Sequence, residues 1–474
     1  MLLKKTLFGE SIIKLLITIK MLFITPFLVR YLGVENYGLY TYILTSAGML
    51  ALFFNIGTTD YVLTYYNNVD FSEKKRQMGV VYAVNIFFAI PITSLLLIYP
   101  NYSYYLFGLD FEYFIFLPFI AFTLIFNGFF TTIAIYQRKL RKFYLFKILE
   151  IVMFVAVIFY TIYFQKSFYE FILYYTVMMS LNFLILFVYL KEISFVFSFK
   201  LSKLKQILSM SIFFMFNGMT LYLLTFIDKF LIQKYMNYYD LGIYGLSVTI
   251  IGSILGLTAT FLYIIIKIKI NENIKSEEKL SQIRFFSNNL INILIVPILM
   301  GFAIYGYNFL ILYAGDNFSQ SYQYIVILLI VVYFNLIMYF YSQKYFLQNE
   351  QKAIKIMFKI TVFVLIINII LNIITIPRYG LMGATFSSVI ASLLQCLAII
   401  YITKSFSLFV NIIKYLIPVS IVWGAGYYLW DDDYGFWLMW VYCIISMLIY
   451  WLLVYIFYKS DIKKLIQIMR FIND

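Results

Sequence analysis

The 474-residue chain contains no histidine. That absence excludes Ser-His-Asp and Cys-His catalysis, histidine-ligated metal sites and histidine proton relays. There are two cysteines, Cys396 and Cys443, both inside apolar runs, so no disulfide framework follows. A GxxxxGKS/T phosphate loop is also missing, and any ATP drive would have to come from another chain. Charge is scarce. Only 12% of residues are charged and 64% are hydrophobic, whereas soluble domains carry about 25% and about 45–50% respectively. Mean hydropathy is +0.90.

These values describe an all-α polytopic membrane protein. Runs such as Ile356 to Ile376 are long and continuous, unlike the alternating segments of about ten residues in a transmembrane β-barrel. Dividing the apolar runs into spans of about 20 residues gives about fourteen helices, starting near residues 10, 38, 79, 113, 144, 168, 206, 241, 287, 322, 355, 380, 411 and 436. The first residues imitate a signal peptide. However, Glu10, Lys14 and Lys20 interrupt any apolar core and no cleavage signal follows, so this segment is expected to be a retained first helix.

The net charge of +14 reflects basic loops rather than nucleic-acid binding. One set of connections carries Lys74, Lys75 and Arg76, then Arg138, Lys139, Arg141 and Lys142, then Lys200, Lys203 and Lys205, with similar groups further on. The alternate set holds only Arg30, Lys166, Lys234 and Arg378, plus an acidic run at Asp431–Asp433. Basic loops stay on the cytoplasmic side, which places both termini in the cytoplasm, as an even helix count requires. Every connection is short. That weighs against membrane glycosyltransferases and polysaccharide polymerases, which usually work through a sizeable external loop, and the chain is read as a non-enzyme.

The segment RYLGVENYGLY, Arg30 to Tyr40, returns as KYMNYYDLGIY, Lys234 to Tyr244. At a constant offset of 204, Tyr31 falls on Tyr235, Gly38 on Gly242, Tyr40 on Tyr244, Thr45 on Thr249 and Gly48 on Gly252. Both copies lie on the expected external side, so the repeats are parallel, and transporter folds place their sites between such repeats. The organisation expected is an N-terminal six-helix lobe (1–200), a C-terminal six-helix lobe (201–405), and two further helices with a cytoplasmic tail (406–474). Glycine with Asn or Asp suits a helix-to-helix turn and tyrosine suits the interface. The patch therefore reads as framework more than as a binding site.

This patch resembles the start of the polysaccharide flippases, the Wzx-type branch of the superfamily that also holds the MATE exporters and lipid II flippases. The same resemblance continues at Asn55-Ile56-Gly57, at Asp228-Lys229 followed by Gly242-Ile243-Tyr244, and at Asn368-x3-Asn372-x4-Pro377-x2-Gly380-x2-Gly383-Ala384. It implies two six-helix lobes around a V-shaped cavity lined largely by helices 1, 2, 7 and 8. The implied activity moves an undecaprenyl-diphosphate-linked oligosaccharide between the leaflets of the bacterial cytoplasmic membrane. The implied protein is a monomer without a cofactor or metal, driven by H+ or Na+ if coupled at all, with a glycan polymerase and chain-length proteins as partners. An ion-coupled exporter of drugs or lipid II is the alternative, and a membrane glycan polymerase or ligase a weaker one.

Charges at mid-bilayer are expensive and mark candidate sites. Lys20 lies near the middle of the first helix, either as a cationic contact for the substrate pyrophosphate or in a structural ion pair. Lys14 joins it as a cavity candidate, although an i,i+4 pair with Glu10 and snorkelling also explain it. Asp60 in helix 2 is a candidate for ion coupling or for pairing with Lys14. Arg30, Asp228 and Lys229 are candidates for an outer gate, with interface anchoring as the alternative. Asparagines inside spans are either interhelical glue or hydrogen-bond partners for sugar hydroxyls. Asn55 and Asn217, near the centres of helices 2 and 7, are the preferred cavity contacts.

Overall fold

A computed structural model of the chain describes residues 2–58, 71–98, 107–136, 140–189, 201–272, 282, 285–286, 289–348, 350–403, 406–429 and 436–463. Among these residues the architecture is all-α. The first helical stretch, Leu2–Asn55, is broken at Gly33, whose backbone sits at φ 72°, ψ 177°. A side chain is strained at such a positive φ, so the chain turns here and divides into α1 (2–32) and α2 (34–55). There follow α3 (Phe71–Ile98), α4 (Phe116–Tyr136, entered through a single turn at Phe111–Phe114), α5 (Leu140–Tyr163), α6 (Phe168–Tyr189), α7 (Leu201–Tyr235) and α8 (Tyr238–Glu272). The remainder comprises α9 (Val296–Ala314), α10 (Ser321–Gln348), α11 (Glu350–Tyr379), α12 (Leu381–Ile402), α13 (Phe406–Leu429) and α14 (Phe436–Phe457).

Eleven described stretches are long and apolar enough to cross a bilayer. The first, Phe23–Asn55, contains the Gly33 break and so holds parts of two helices. Two shorter apolar segments, Ala83–Ile98 and Ile417–Gly426, belong to α3 and α13. The fourteen helices read from hydropathy are thus all represented.

The chain forms two compact units, residues 31–242 and residues 1–30 with 243–474. In the first, α6 is started by a capping box. The Ser167 Oγ accepts from the Glu170 N–H at 3.3 Å, and the Ser167 N–H donates to the Glu170 carboxylate at 2.9 Å. Two orphan amides are satisfied reciprocally in this way. Tyr40 of α2 meets Phe171 and Tyr175 of α6 edge-on, with ring centroids 5.7 and 5.9 Å apart, an arrangement the aromatic quadrupole favours. The Tyr31 hydroxyl donates to the Lys166 carbonyl.

In the second unit, α9 is preceded by a π turn at Ile291–Ile295. Widening a helix to i→i+5 pairing directs carbonyls away from the usual ladder, and inside a bilayer such groups must find donors within the protein. Two residues of α14 supply them. The Tyr450 hydroxyl donates to the Asn292 carbonyl at 2.8 Å and the Trp451 indole N–H to the Ile293 carbonyl at 2.9 Å. The Tyr333 hydroxyl of α10 donates to the Asn292 Oδ1 at 2.7 Å, and the Tyr415 hydroxyl of α13 donates to the Asn289 Oδ1. Asn289, Asn292, Tyr415 and Tyr450 are all buried. The last two helices are therefore seated on the irregular turn by directed hydrogen bonds, in a setting where apolar contact alone gives little preference over lipid.

Tyr450→Phe keeps the ring and removes the donor, leaving the Asn292 carbonyl short of a partner. The expected cost is about 1–3 kcal/mol, read as a lowered thermal unfolding midpoint of the detergent-solubilised protein. Tyr455→Phe, on an exposed side chain of the same helix, is expected to leave the midpoint unchanged.

Candidate functional site

Both copies of the repeat meet within the unit 31–242, and they meet reciprocally. A Cβ placed on Gly38 would overlap the Tyr238 carbonyl oxygen and lie 2.7 Å from the Gly242 nitrogen. A Cβ on Gly242 would overlap the Val34 carbonyl oxygen and lie 2.9 Å from its carbon. Val34 and Tyr238 are themselves equivalent at the offset of 204, so each copy rests its glycine on the other's carbonyl. The repeat glycines were expected in turns. The turn residues are instead Gly33 and its equivalent Asn237, whose Oδ1 caps α8 by accepting from the Asp240 N–H at 2.8 Å. Gly38 and Gly242 lie inside helices, where the missing side chain lets two backbones touch.

Three side-chain donors beside this crossing converge on one short segment. The Tyr42 hydroxyl donates to the Phe107 carbonyl at 2.6 Å. The Tyr238 hydroxyl and the Gln233 amide both donate to the Gly108 carbonyl, at 3.0 and 3.2 Å. The segment between α3 and α4 is thereby fastened to α2, α7 and the start of α8. Tyr42 also lies against Phe226 and Tyr238, with centroids 6.5 and 6.2 Å apart.

Further along α2 the contact with α7 continues. The Tyr222 hydroxyl donates to the Thr45 carbonyl at 2.7 Å, and a Cβ on Gly48 would overlap that hydroxyl. The Lys229 ammonium lies 3.4 Å from the Thr45 Oγ1. At the far end α2 stops at Ile56 and Gly57, with φ values of 47° and 69°. Here a Cβ on Gly57 would overlap the Ser211 carbonyl and lie 3.0 Å from the Phe214 carbonyl carbon. Three glycines, 38, 48 and 57, thus let α2 lie against α7 and the start of α8 along its whole length. The break is polar. The Thr58 hydroxyl lies 2.7 Å from the Asn55 carbonyl and 2.8 Å from the Asn85 Oδ1, while the Asn85 Nδ2 and Ser211 Oγ are buried without partners among the described residues.

The residues singled out from sequence are distributed as follows. Asn55 ends α2 beside this break, its Oδ1 3.2 Å from the Thr58 hydroxyl. Asn217 is half-buried in α7, next to Gly218, where a Cβ would meet Leu52 of α2 at 3.7 Å. Asp228 is buried and Lys229 half-buried, the latter reaching Thr45. Arg30 is exposed and donates to the Ile311 and Leu312 carbonyls near the end of α9, where a cation offsets the helix dipole. Lys14 and Lys20 lie in α1, but their side chains are outside the described residues, as is Asp60 altogether. Sequence reasoning missed Tyr42, Tyr222, Gln233 and Tyr238. Only Tyr238 lies within a repeat copy, and at the offset Tyr42 and Tyr222 fall on Leu246 and Thr18.

A family model described as "Polysaccharide biosynthesis protein" matches residues 27–323, a segment that contains the glycine crossing and the whole of α2 and α7. The chain belongs to this family. Its fold is shared with solved membrane transporters. A structure titled "Lipid II flippase MurJ, inward closed conformation" aligns with a TM-score of 0.75 at 16% identity, over 96% of this chain and 99% of that one. Two structures of a multidrug resistance MATE family transporter of the MOP superfamily also align. The outward-facing form gives a TM-score of 0.57 at 16% identity, over 85% of this chain and 95% of that one. The inward-facing form gives 0.56 at 14% identity, over 84% and 99%. No curated protein sequence matches the chain. At these identities the structural likenesses establish the fold of this family member and nothing about its cargo.

The glycine seam predicts a specific non-additivity. Gly48→Ala alone is expected to destabilise by about 1–3 kcal/mol through overpacking against Tyr222. Combined with Tyr222→Leu, which vacates that space, the alanine is expected to cost well under half as much, as measured by thermal unfolding of the four members of the cycle.

Proposed function

We propose that this family member is a flippase that moves undecaprenyl-diphosphate-linked oligosaccharide repeat units across the bacterial cytoplasmic membrane, with both termini in the cytoplasm. The observation that carries the reading is the family match through residues 27–323, joined to a transporter fold along nearly the whole chain. Short connections and the absence of histidine favour transport between helices over catalysis, and the protein is proposed to be a non-enzyme. Six-helix lobes at 1–200 and 201–405 would alternate around a central cavity, with 406–474 attached to the second. Lys20 and Lys14 would attract the pyrophosphate as hydrated point charges, while Asn55 and Asn217 would hydrogen-bond sugar hydroxyls. Asp60, Asp228, Lys229 and Arg30 would serve gating or coupling to H+ or Na+. Membrane lipids, a glycan polymerase and chain-length proteins are the proposed partners, and the protein is proposed to act as a monomer. The likeness to the MATE transporters favours an ion-coupled exporter as the second reading.

The test is complementation in a bacterium lacking its own flippase and making a matching glycan, with expression and insertion held equal. The intact chain is expected to restore surface polysaccharide. Lys20→Ala is expected to lower it at least about tenfold, the cost of a lost charge-assisted contact, and Lys20→Arg to retain part of it. Failure of the intact chain to restore any surface glycan would shift the assignment to the exporter.

A further inference from the structure

We propose that the reciprocal crossing of Gly38 and Gly242 is the outer gate of the transport path, latched by the 107–108 segment. The proposal rests on the flippase reading for its direction, since the loop charges that place the termini in the cytoplasm also place this crossing outside.

The contact is unusual in its chemistry. Two glycines abut the Tyr238 and Val34 carbonyls, so closure brings backbone against backbone with no side chain between them. Such a contact either fits or fails, because a backbone cannot repack around an intruding methyl group as a flexible side chain can. The same crossing is held by groups that can let go. Phe107 and Gly108 offer carbonyls to Tyr42, Gln233 and Tyr238, and each of these bonds is exchangeable for water once the gap is wet, so opening strands no buried donor. Below the crossing, Thr45 receives both the Tyr222 hydroxyl and the Lys229 ammonium from α7. It lies about 10 Å deeper along α2, on the same face beneath Tyr42, and would meet external water once the crossing opens.

The repeat supplies an internal control. Gly48 is filled by Tyr222, but its equivalent Gly252 has nothing within 4 Å of an added Cβ. Glycine at an equivalent position is therefore not enough. Only the 38–242 pair has each copy seated on the other. This assigns the gate to the repeat itself, with Lys229 as a brace on Thr45 beneath it.

The experiment uses the full chain with Cys396 and Cys443 replaced by alanine and Thr45→Cys as reporter, labelled in intact cells by a membrane-impermeant maleimide. Gly38→Ala and Gly242→Ala exclude the closed contact, and each is expected to raise labelling about tenfold or more. Tyr238→Phe leaves every backbone in place and removes one latch bond, with an expected rise of about two- to tenfold. Gly252→Ala is expected to leave labelling unchanged. If the glycine variants fail to insert, Tyr238→Phe decides alone. Unchanged labelling in the inserted variants, or an equal rise in Gly252→Ala, would overturn the gate. Surface glycan measured in the same cells separates the two claims. A parent that restores none refutes the cargo, whereas the labelling pattern reports on the gate whatever the cargo is.

Discussion

Close approach of backbones is the constraint on which the described structure most depends. Helices in a bilayer gain little from apolar contact with each other, because lipid tails are equally good partners. What distinguishes one packing from another is how near two backbones can come and which polar groups can then be shared. Along α2 and at its end both conditions are met by Gly38 and Gly57, which admit the backbones of the start of α8 and of α7, while Gly48 between them makes room for the Tyr222 side chain. That proximity lets Tyr222 and Lys229 reach Thr45. It also explains why α7 joins α2–α6 in a single compact unit that ends at Gly242.

The π turn before α9 solves a related problem by different means. There the irregular backbone offers carbonyls, and aromatic donors from α14 take them. In both places buried polar groups sit where helices must recognise a particular neighbour, and each bond has a directional partner. The Asn85 Nδ2 and Ser211 Oγ differ, being buried without partners among the described residues at the α2 break. Groups of this kind favour any motion that hydrates them, and they lie next to Asn55, a residue proposed for the cavity.

Much of the fold could be read before any coordinates. The spans expected to begin near 144 and 168 correspond to apolar stretches beginning at Tyr144 and Phe168, because hydropathy over about 20 residues reflects a requirement set by the bilayer itself. The repeat was visible for a similar reason, since Gly38 and Gly242 serve one geometric purpose twice. Its purpose was not visible. A glycine that ends a helix and one that admits a neighbouring backbone look identical in sequence, and only the position of Gly33, with its positive φ, separates the two. The π turn was invisible because its stabilising donors come from residues 158 positions away. Tyr222 gave no warning either, as its repeat equivalent is Thr18. Charged residues were easy to flag and hard to assign. Arg30 proved to be held by the end of α9, a use that depends on tertiary packing alone.

The central claim is that this chain carries a lipid-linked glycan from one leaflet to the other, and reconstitution tests it most directly. Purified protein would be placed in vesicles containing a diphosphate-linked oligosaccharide lipid, and the glycan exposed on one face would be cleaved with a membrane-impermeant glycosidase. The account predicts that protein-free vesicles stop near half cleavage, while vesicles holding the protein proceed towards completion, more slowly with Lys20→Ala. Cleavage that halts at the protein-free level, with the protein correctly inserted and the matching glycan supplied, would contradict it.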